Sequence, residues 1–370
     1  MNTLRIANRL KHNTLALAKY PGAQPHWVAD MSFATPEPIL LAINKRVMER
    51  HFSYPNITDT VYRSIQHWCN TRYDWTINRD WIVVIPNTMS GVRTGVKSVH
   101  NSAVIYTQHP NYHKLLDIGK SFDVDIRSVD TSASRKPFST HDLQSIALVN
   151  PSAVVLCNPT NPTGTVSSRA ELETLADCIR DLRTIVISDE AHADFILSDQ
   201  LHVPAGSVKG LENKSITILS PSKTFNLAGI SVAFAVIPSE QIRNNFISTL
   251  AFYSSGINAL GLIALEQAYD HCSAWLDTLL QQLRHNQRYL YDCLLNTSFK
   301  YTPSDATYLA WIDTRAAGSD VFNRLLNKGI AVSNGTDFGS PGWIRFNFAH
   351  PKNHLTHATN IILDLFGNKK

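Results

Sequence analysis

Four short runs in the middle of the chain carry no charged residue: Ala153–Cys157 (AVVLC), Thr184–Ser188 (TIVIS), Ser215–Leu219 (SITIL) and Val232–Ile237 (VAFAVI). Runs of five or six residues rich in Val, Ile and Leu are the pattern of strands buried on both faces. Amphipathic helical patterns stand between and before them. Thr35 to His51 repeats Ile39, Leu40, Ile43 and Val47, with Thr35 as a cap and Pro36 as the first helical residue. Thr58 to Tyr73 sets Val61, Ile65 and Trp68 on one face, and Ser168 to Leu182 does the same with Leu172, Leu175, Ala176 and Ile179. Strands alternating with helices predict an α/β fold, with a mostly parallel sheet covered on both faces in a three-layer α/β/α large domain. A long helical region, Gln241 to Leu295, is broken near Ser254-Ser255-Gly256. After it, short strands and helices (among them the alternating run WIRFNF, Trp343 to Phe348) predict a smaller α+β C-terminal domain joined by the N-terminal arm. The expected division is an arm over 1–45, a large domain over 46–270 and a small domain over 271–370.

A chain of 370 residues with 44% hydrophobic content can bury a large core. The formal charge of +4 is scattered, which argues against nucleic acid or a membrane surface as partner. The 15 histidines show no metal-ligand spacing, so no metal is expected. Five cysteines without a CxxC pair suit reduced thiols. No apolar h-region opens the chain and no apolar run approaches a membrane span of ~18 residues. A cytoplasmic protein is expected.

In parallel sheets, ligands sit beyond the carboxyl ends of the strands. Three polar clusters fall there. The first, SPSKTFNLAG, sets Lys223 among the hydroxyls of Ser220 and Ser222. A lysine held near cations or out of water loses its proton more easily and forms a Schiff base with a carbonyl, and hydroxyls beside it can donate to a phosphate. By itself the stretch fits a surface turn with an ordinary lysine equally well. The second cluster is NPTNPTG, whose prolines hold the amide of Asn161 in a fixed direction, and the third is SDEAHAD, with Asp189 and His192. Ser90 and Gly91 open a further helix after a strand, a generic anion site that is also common capping.

With these pieces together, the chain resembles the fold-type I pyridoxal-phosphate enzymes, the aspartate aminotransferase superfamily, and within it the cystathionine β-lyase/C–S lyase branch. The resemblance rests on WVADMSF, NPTNPTG, SDEAHAD, SPSKTFNLAG and RFNFAHP, which run in the family's order from residue 27 to residue 351. It implies pyridoxal 5'-phosphate (PLP) attached through Lys223, which also moves the α-proton of the substrate. It implies Asp189 on the pyridine nitrogen, Asn161 on the ring's phenolic oxygen with His192 near it, and Tyr112 against the ring face. Ser90, Gly91, Ser220 and Ser222 would cradle the phosphate. Arg345 would clamp the substrate carboxylate, with Asp30 also at the substrate. Tyr54 would reach into the neighbouring subunit's site as a catalytic residue, which makes the active unit a homodimer.

The chain departs from the family pattern at Ser32, where an acidic residue is usual, at His350 and Lys352, and at Ser231, where aminotransferases place a phosphate-binding arginine. The expected activity is a PLP-dependent C–S β-lyase acting on a cystathionine-like or cysteine S-conjugate L-amino acid. The alternative on the same scaffold is an aminotransferase. A non-catalytic regulator is a third reading, which leaves the Asn161–Asp189–Lys223 set without a purpose.

Overall fold

The computed structural model describes residues 4–7, 14–99, 104–122, 124–131, 137–253 and 256–367. Seven strands build the central sheet: β1 (Ile82–Ile85), β2 (Val104–His109), β3 (Asp125–Asp130), β4 (Ala153–Cys157), β5 (Ile185–Asp189), β6 (Ser215–Leu219) and β7 (Ala233–Val236). Their order is β1-β7-β6-β5-β4-β2-β3. All neighbours pair in parallel except those of β7, which is antiparallel to β1 and β6.

The apolar runs are buried on both faces, as their composition requires. Along β4, Ala153, Val155 and Cys157 pack into one core with Val92 and Val96 of helix Thr88–Ser98. Val154 and Leu156 point the other way, to Leu172, Leu175 and Ala176 of helix Arg169–Cys178. Each buried Val or Leu among them contributes about 1.5–3 kcal/mol by leaving water. Helix Arg169–Cys178 starts on a capping box: Ser168 accepts from the Glu171 N–H, and Glu171 accepts from Ser168. Helix Thr88–Ser98 lies so close to the sheet that a Cβ on Gly91 would come within 2.5 Å of Ile85 and 3.1 Å of Ile218.

The first long helix is Glu37–Met48, one turn shorter than expected, with Pro36 rather than Thr35 at its cap. The Thr35 hydroxyl donates instead to the Asn226 carbonyl, tying the helix start to the loop after Lys223. The long helical region resolves into Glu240–Tyr253, Ala259–His271 and Ser273–Leu294, a second break falling at Cys272. Ser254 and Ser255, at the expected break, lie outside the described residues.

A second, three-stranded antiparallel sheet has the order β9-β10-β8, from β8 (Leu309–Asp313), β9 (Ser333–Asn334) and β10 (Trp343–Asn347). The N-terminal arm joins this part of the molecule: Gln24–Pro25 pairs in parallel with Ile330–Ala331, and Ser32 N–H donates to the Ala349 carbonyl. WIRFNF forms the expected strand, and it has no solvent face: Ile344, Arg345, Phe346 and Asn347 are all buried. The polar side of β10 faces the segment from Trp27 to Asp30 rather than water. Among the described residues, no helix is long and apolar enough to cross a membrane, and no group of His, Cys, Asp or Glu is arranged to hold a metal.

Candidate active site

Strands β4, β5 and β6 are adjacent and parallel, so the loops leaving their carboxyl ends meet at one edge of the sheet. This brings Asn161, Asp189 and Lys223 together although they are spread over some sixty residues of sequence.

Lys223 sits in the short helical turn Pro221–Thr224 directly after β6. Its amine donates to the Ala29 carbonyl at 2.7 Å, a contact between residues 194 apart in sequence. The residue is partly exposed along its length, but its amine is enclosed, and that burial lowers its pKa to about 8; Arg345 pushes the same way, while Asp30 and Asp189 oppose. An amine near 8 is a far better nucleophile and base at neutral pH than an ordinary lysine.

Asp189 ends β5 and is buried. Its carboxylate accepts from the Ala191 N–H at 3.2 Å, yet burial raises its pKa to about 6, with Glu190 adding to the rise and Lys223 opposing it. A carboxylate so placed calls for a cationic partner. His192 is also buried. Burial, with Lys223 and Arg345 next to it, lowers its pKa to about 3, so the imidazole is neutral; its Nδ1 has no hydrogen-bond partner among the described residues.

Arg345, on β10, is 5% exposed. One guanidinium nitrogen donates to Asn161 Oδ1 at 2.8 Å, the other to the Trp27 carbonyl at 2.6 Å and to Ser333 Oγ at 3.2 Å. Its plane lies over Phe338, 4.8 Å from the ring centre, and Nε has no partner among the described residues. Burial lowers its pKa to about 10. The guanidinium stays charged at neutral pH and retains a donor for a carboxylate. The Asn161 loop reaches Arg345 because Gly164, at φ +67°, packs directly on Ala306 and Ser304; any Cβ there would come within 2.4 Å of both. Tyr112 caps the short helix His113–Leu116 and is half-buried; burial raises its phenol pKa, Arg345 opposes the rise and Asp189 adds to it, so it lies within electrostatic reach of both.

Four residues expected at the phosphate, Ser220, Ser222, Ser90 and Gly91, already have hydrogen bonds within the protein. Ser220 and Ser222 both donate their hydroxyl protons to the Val232 carbonyl, at 2.6 and 3.0 Å. A hydroxyl has one proton, so these two stitch the lysine turn to β7 and must rotate before donating to a phosphate. Gly91 and Ser90 have their N–H groups occupied, by the Asn87 carbonyl and the Asn87 side chain. Among the described residues, the N–H groups of that helix start left without an acceptor belong to Thr88 and Met89, its first two residues. Tyr54 is fully exposed (101%) and takes no part in the site of its own chain.

Sequence reasoning missed the scaffold behind the site. Asn347 donates to the carbonyls of Val28 and Asp30, both at 2.7 Å, and Asn226 exchanges bonds with Met31 and donates to the Phe33 carbonyl. Both asparagines stand inside motifs quoted above. The two together hold the Trp27–Phe33 segment, including Asp30, against Lys223. The departures at Ser32 and His350 also prove to be one feature: Ser32 Oγ and His350 Nδ1 are hydrogen-bonded at 2.8 Å.

The residues present fit PLP. A low-pKa amine, a buried carboxylate without a cationic partner, a neutral imidazole with an unsatisfied nitrogen and a helix start with two free N–H groups match, in turn, its aldehyde, ring nitrogen, phenolic oxygen and phosphate.

Comparison with known proteins agrees. The family model for aminotransferase class I and II matches residues 28–362. The chain is 29% identical over 353 residues to the cystathionine beta-lyase PatB of Bacillus subtilis (strain 168), covering 88% of both. It matches the crystal structure of OvoB with a TM-score of 0.92 and 28% identity over 100% of both chains. Cystalysin from Treponema denticola, whose crystal structure contains a pyridoxal 5'-phosphate cofactor, matches with a TM-score of 0.90 and 26% identity over 98% of this chain and 97% of that one.

Proposed function

Because the chain belongs to the aminotransferase class I and II family and takes PLP as its cofactor, we propose that it is a C–S β-lyase. It would carry out α,β-elimination on an L-amino acid with a sulfur substituent at Cβ, of the cystathionine or cysteine S-conjugate kind. The observation that carries the reading is the bond between Arg345 and Asn161. It would join the carboxylate-binding fork to the cofactor-binding loop, so a substrate held by Arg345 would lie beside the cofactor. Elimination is favoured over transamination by the likeness to PatB and by Ser231, which lacks the arginine usual in aminotransferases.

Lys223 would attach the cofactor, Asp189 would pair with its ring nitrogen, Asn161 and His192 would meet its phenolic oxygen, and Tyr112 would cover its face. The N–H groups of Thr88 and Met89, with the Ser90 hydroxyl, would hold its phosphate. The bound cofactor supplies the electron sink for the pair left on Cα. Arg345 holds the α-carboxylate with its planar fork. Lys223 Nζ, once free, removes the α-proton. The C–S bond then breaks, sulfur takes the bonding pair and a proton, and it leaves as the thiol. The remaining 2-aminoacrylate hydrolyses to pyruvate and ammonia.

Purified holoenzyme given L-cystathionine is expected to release free thiol and pyruvate in equal amounts. Accumulation of pyridoxamine phosphate with no thiol would establish the aminotransferase alternative instead.

A homodimer with shared sites accounts for Tyr54. Helix Glu37–Met48 and the loop after it present Leu40, Leu41, Val47, Met48, Phe52 and Tyr54 to solvent, an apolar surface suited to a second copy of this chain. If Tyr54 acts in the partner's site, mixing inactive Tyr54→Phe and Lys223→Ala proteins restores part of the activity, because each mixed dimer has one intact site. Two variants that stay inactive when mixed, while forming mixed dimers, would exclude the shared site.

A further inference from the structure

The residue after Lys223 is tied to a second buried carboxylate. Thr224 Oγ1 donates to Asp194 Oδ2 at 2.7 Å. The other oxygen, Oδ1, accepts from the Tyr73 hydroxyl at 2.6 Å and from Trp68 Nε1 at 3.2 Å. Trp68 and Thr224 are each 1% exposed and Asp194 is 7% exposed. Trp68 stacks on Tyr269 of helix Ala259–His271 at 4.6 Å, so the donors are fixed in place. Among the described residues Asp194 forms no ion pair; three neutral donors hold it.

A buried carboxylate is costly unless its oxygens are satisfied, and an apolar filling would pack as well. A carboxylate does what an apolar side chain or an amide cannot: it accepts three strong bonds at once, here from two other elements. Those elements are helix Asp59–Tyr73 and the turn that carries Lys223, and Asp194 joins both to its own loop, the one that follows Asp189 and carries His192. The strongest geometry goes to the helix tyrosine and to the lysine turn.

We propose that Asp194 is a positioning residue for Lys223. Through Thr224 it orients the lysine turn and keeps the amine enclosed at the Ala29 carbonyl. This rests on Lys223 being the cofactor lysine and the base, not on which bond breaks afterwards.

The test uses two readouts that precede any elimination. In apo-protein, the pH dependence of PLP capture reports the amine, because only the unprotonated form reacts. In holoenzyme, exchange of the α-proton of L-alanine with deuterated water reports the base, since alanine has no leaving group. Thr224→Val removes only the bond to the lysine turn and leaves Tyr73 and Trp68 on Asp194. Loosening the turn hydrates the amine and stabilises its charged form, so the capture midpoint is expected to move to higher pH. Exchange is expected to slow about tenfold, the size of one lost bond to a charged acceptor. Asp194→Asn should act in the same direction, and Thr224→Ser should behave as wild type. The groups that act on the amine directly (Asp30, Asp189, Arg345 and Lys114) are unchanged in all three variants. An unchanged capture midpoint and exchange rate in Thr224→Val overturns the proposal, even if the melting temperature falls, since that is the result of a merely structural bond. Wild-type exchange without thiol release from cystathionine would defeat the elimination reading and leave this one standing.

Discussion

Lys223→Ala is expected to abolish the visible Schiff-base absorption that wild-type protein develops on titration with PLP, and to lower turnover by about 10⁴-fold or more. The reason lies in two properties of one atom. The Lys223 amine has its pKa lowered to about 8 by burial, so a useful fraction is unprotonated at neutral pH. It is also the amine at the meeting point of Asp30, Asp189 and Arg345, so no neighbouring base can replace it in place. The absorption and the turnover are to be measured on the same preparation. A variant that keeps the band, or wild-type protein that never shows it, would remove the central assignment.

Asp189→Asn is expected to act in opposite directions on activity and stability. With the cofactor bound, the variant would lose the buried carboxylate proposed to pair with the ring nitrogen, and turnover should fall about 10²- to 10³-fold, as for removal of one partner from a buried charge pair. In apo-protein that partner is missing and the carboxylate is a burden. Its folded pKa is raised from 3.8 to about 6. For a raised acid, the favourable contribution is fully present below the unfolded value and is lost as pH rises through the folded value. The window is therefore about pH 4 to 6, and the loss reaches about 3 kcal/mol at neutral pH. Urea unfolding of the apo-proteins should show Asp189→Asn more stable than wild type at pH 7, with the difference closing towards pH 4. A variant less stable than wild type at pH 7 would mean that Asp189 is a structural carboxylate already satisfied within the apo-protein.

Sequence and structure divide unevenly over the site. Lys223, Asp189 and Asn161 are legible because each follows a strand whose composition announces it, and parallel packing of β4, β5 and β6 carries their ends to one edge. Arg345 is different. On β10 its neighbours Ile344 and Phe346 suggest one wet face, whereas the arm residues from Trp27 to Asp30 cover that face and turn Arg345 inward. No local pattern contains the arm, which is more than three hundred residues away in sequence. The same holds for Ser220 and Ser222: their hydroxyls look like phosphate ligands until the Val232 carbonyl is found beside them. Thr88 and Met89 are the reverse case, ordinary side chains whose position at a helix start leaves their N–H groups free.

By itself, the sequence determined the layered sheet and singled out the candidate reactive groups, because burial of apolar runs and the chemistry of side chains are properties of short stretches. Only the tertiary structure decided which of those groups are charged, enclosed or already bonded. Enclosure and pairing come from contacts such as Lys223 to Ala29, Arg345 to Asn161 and Thr224 to Asp194, and each of these joins segments at least 30 residues apart that only tertiary folding brings together.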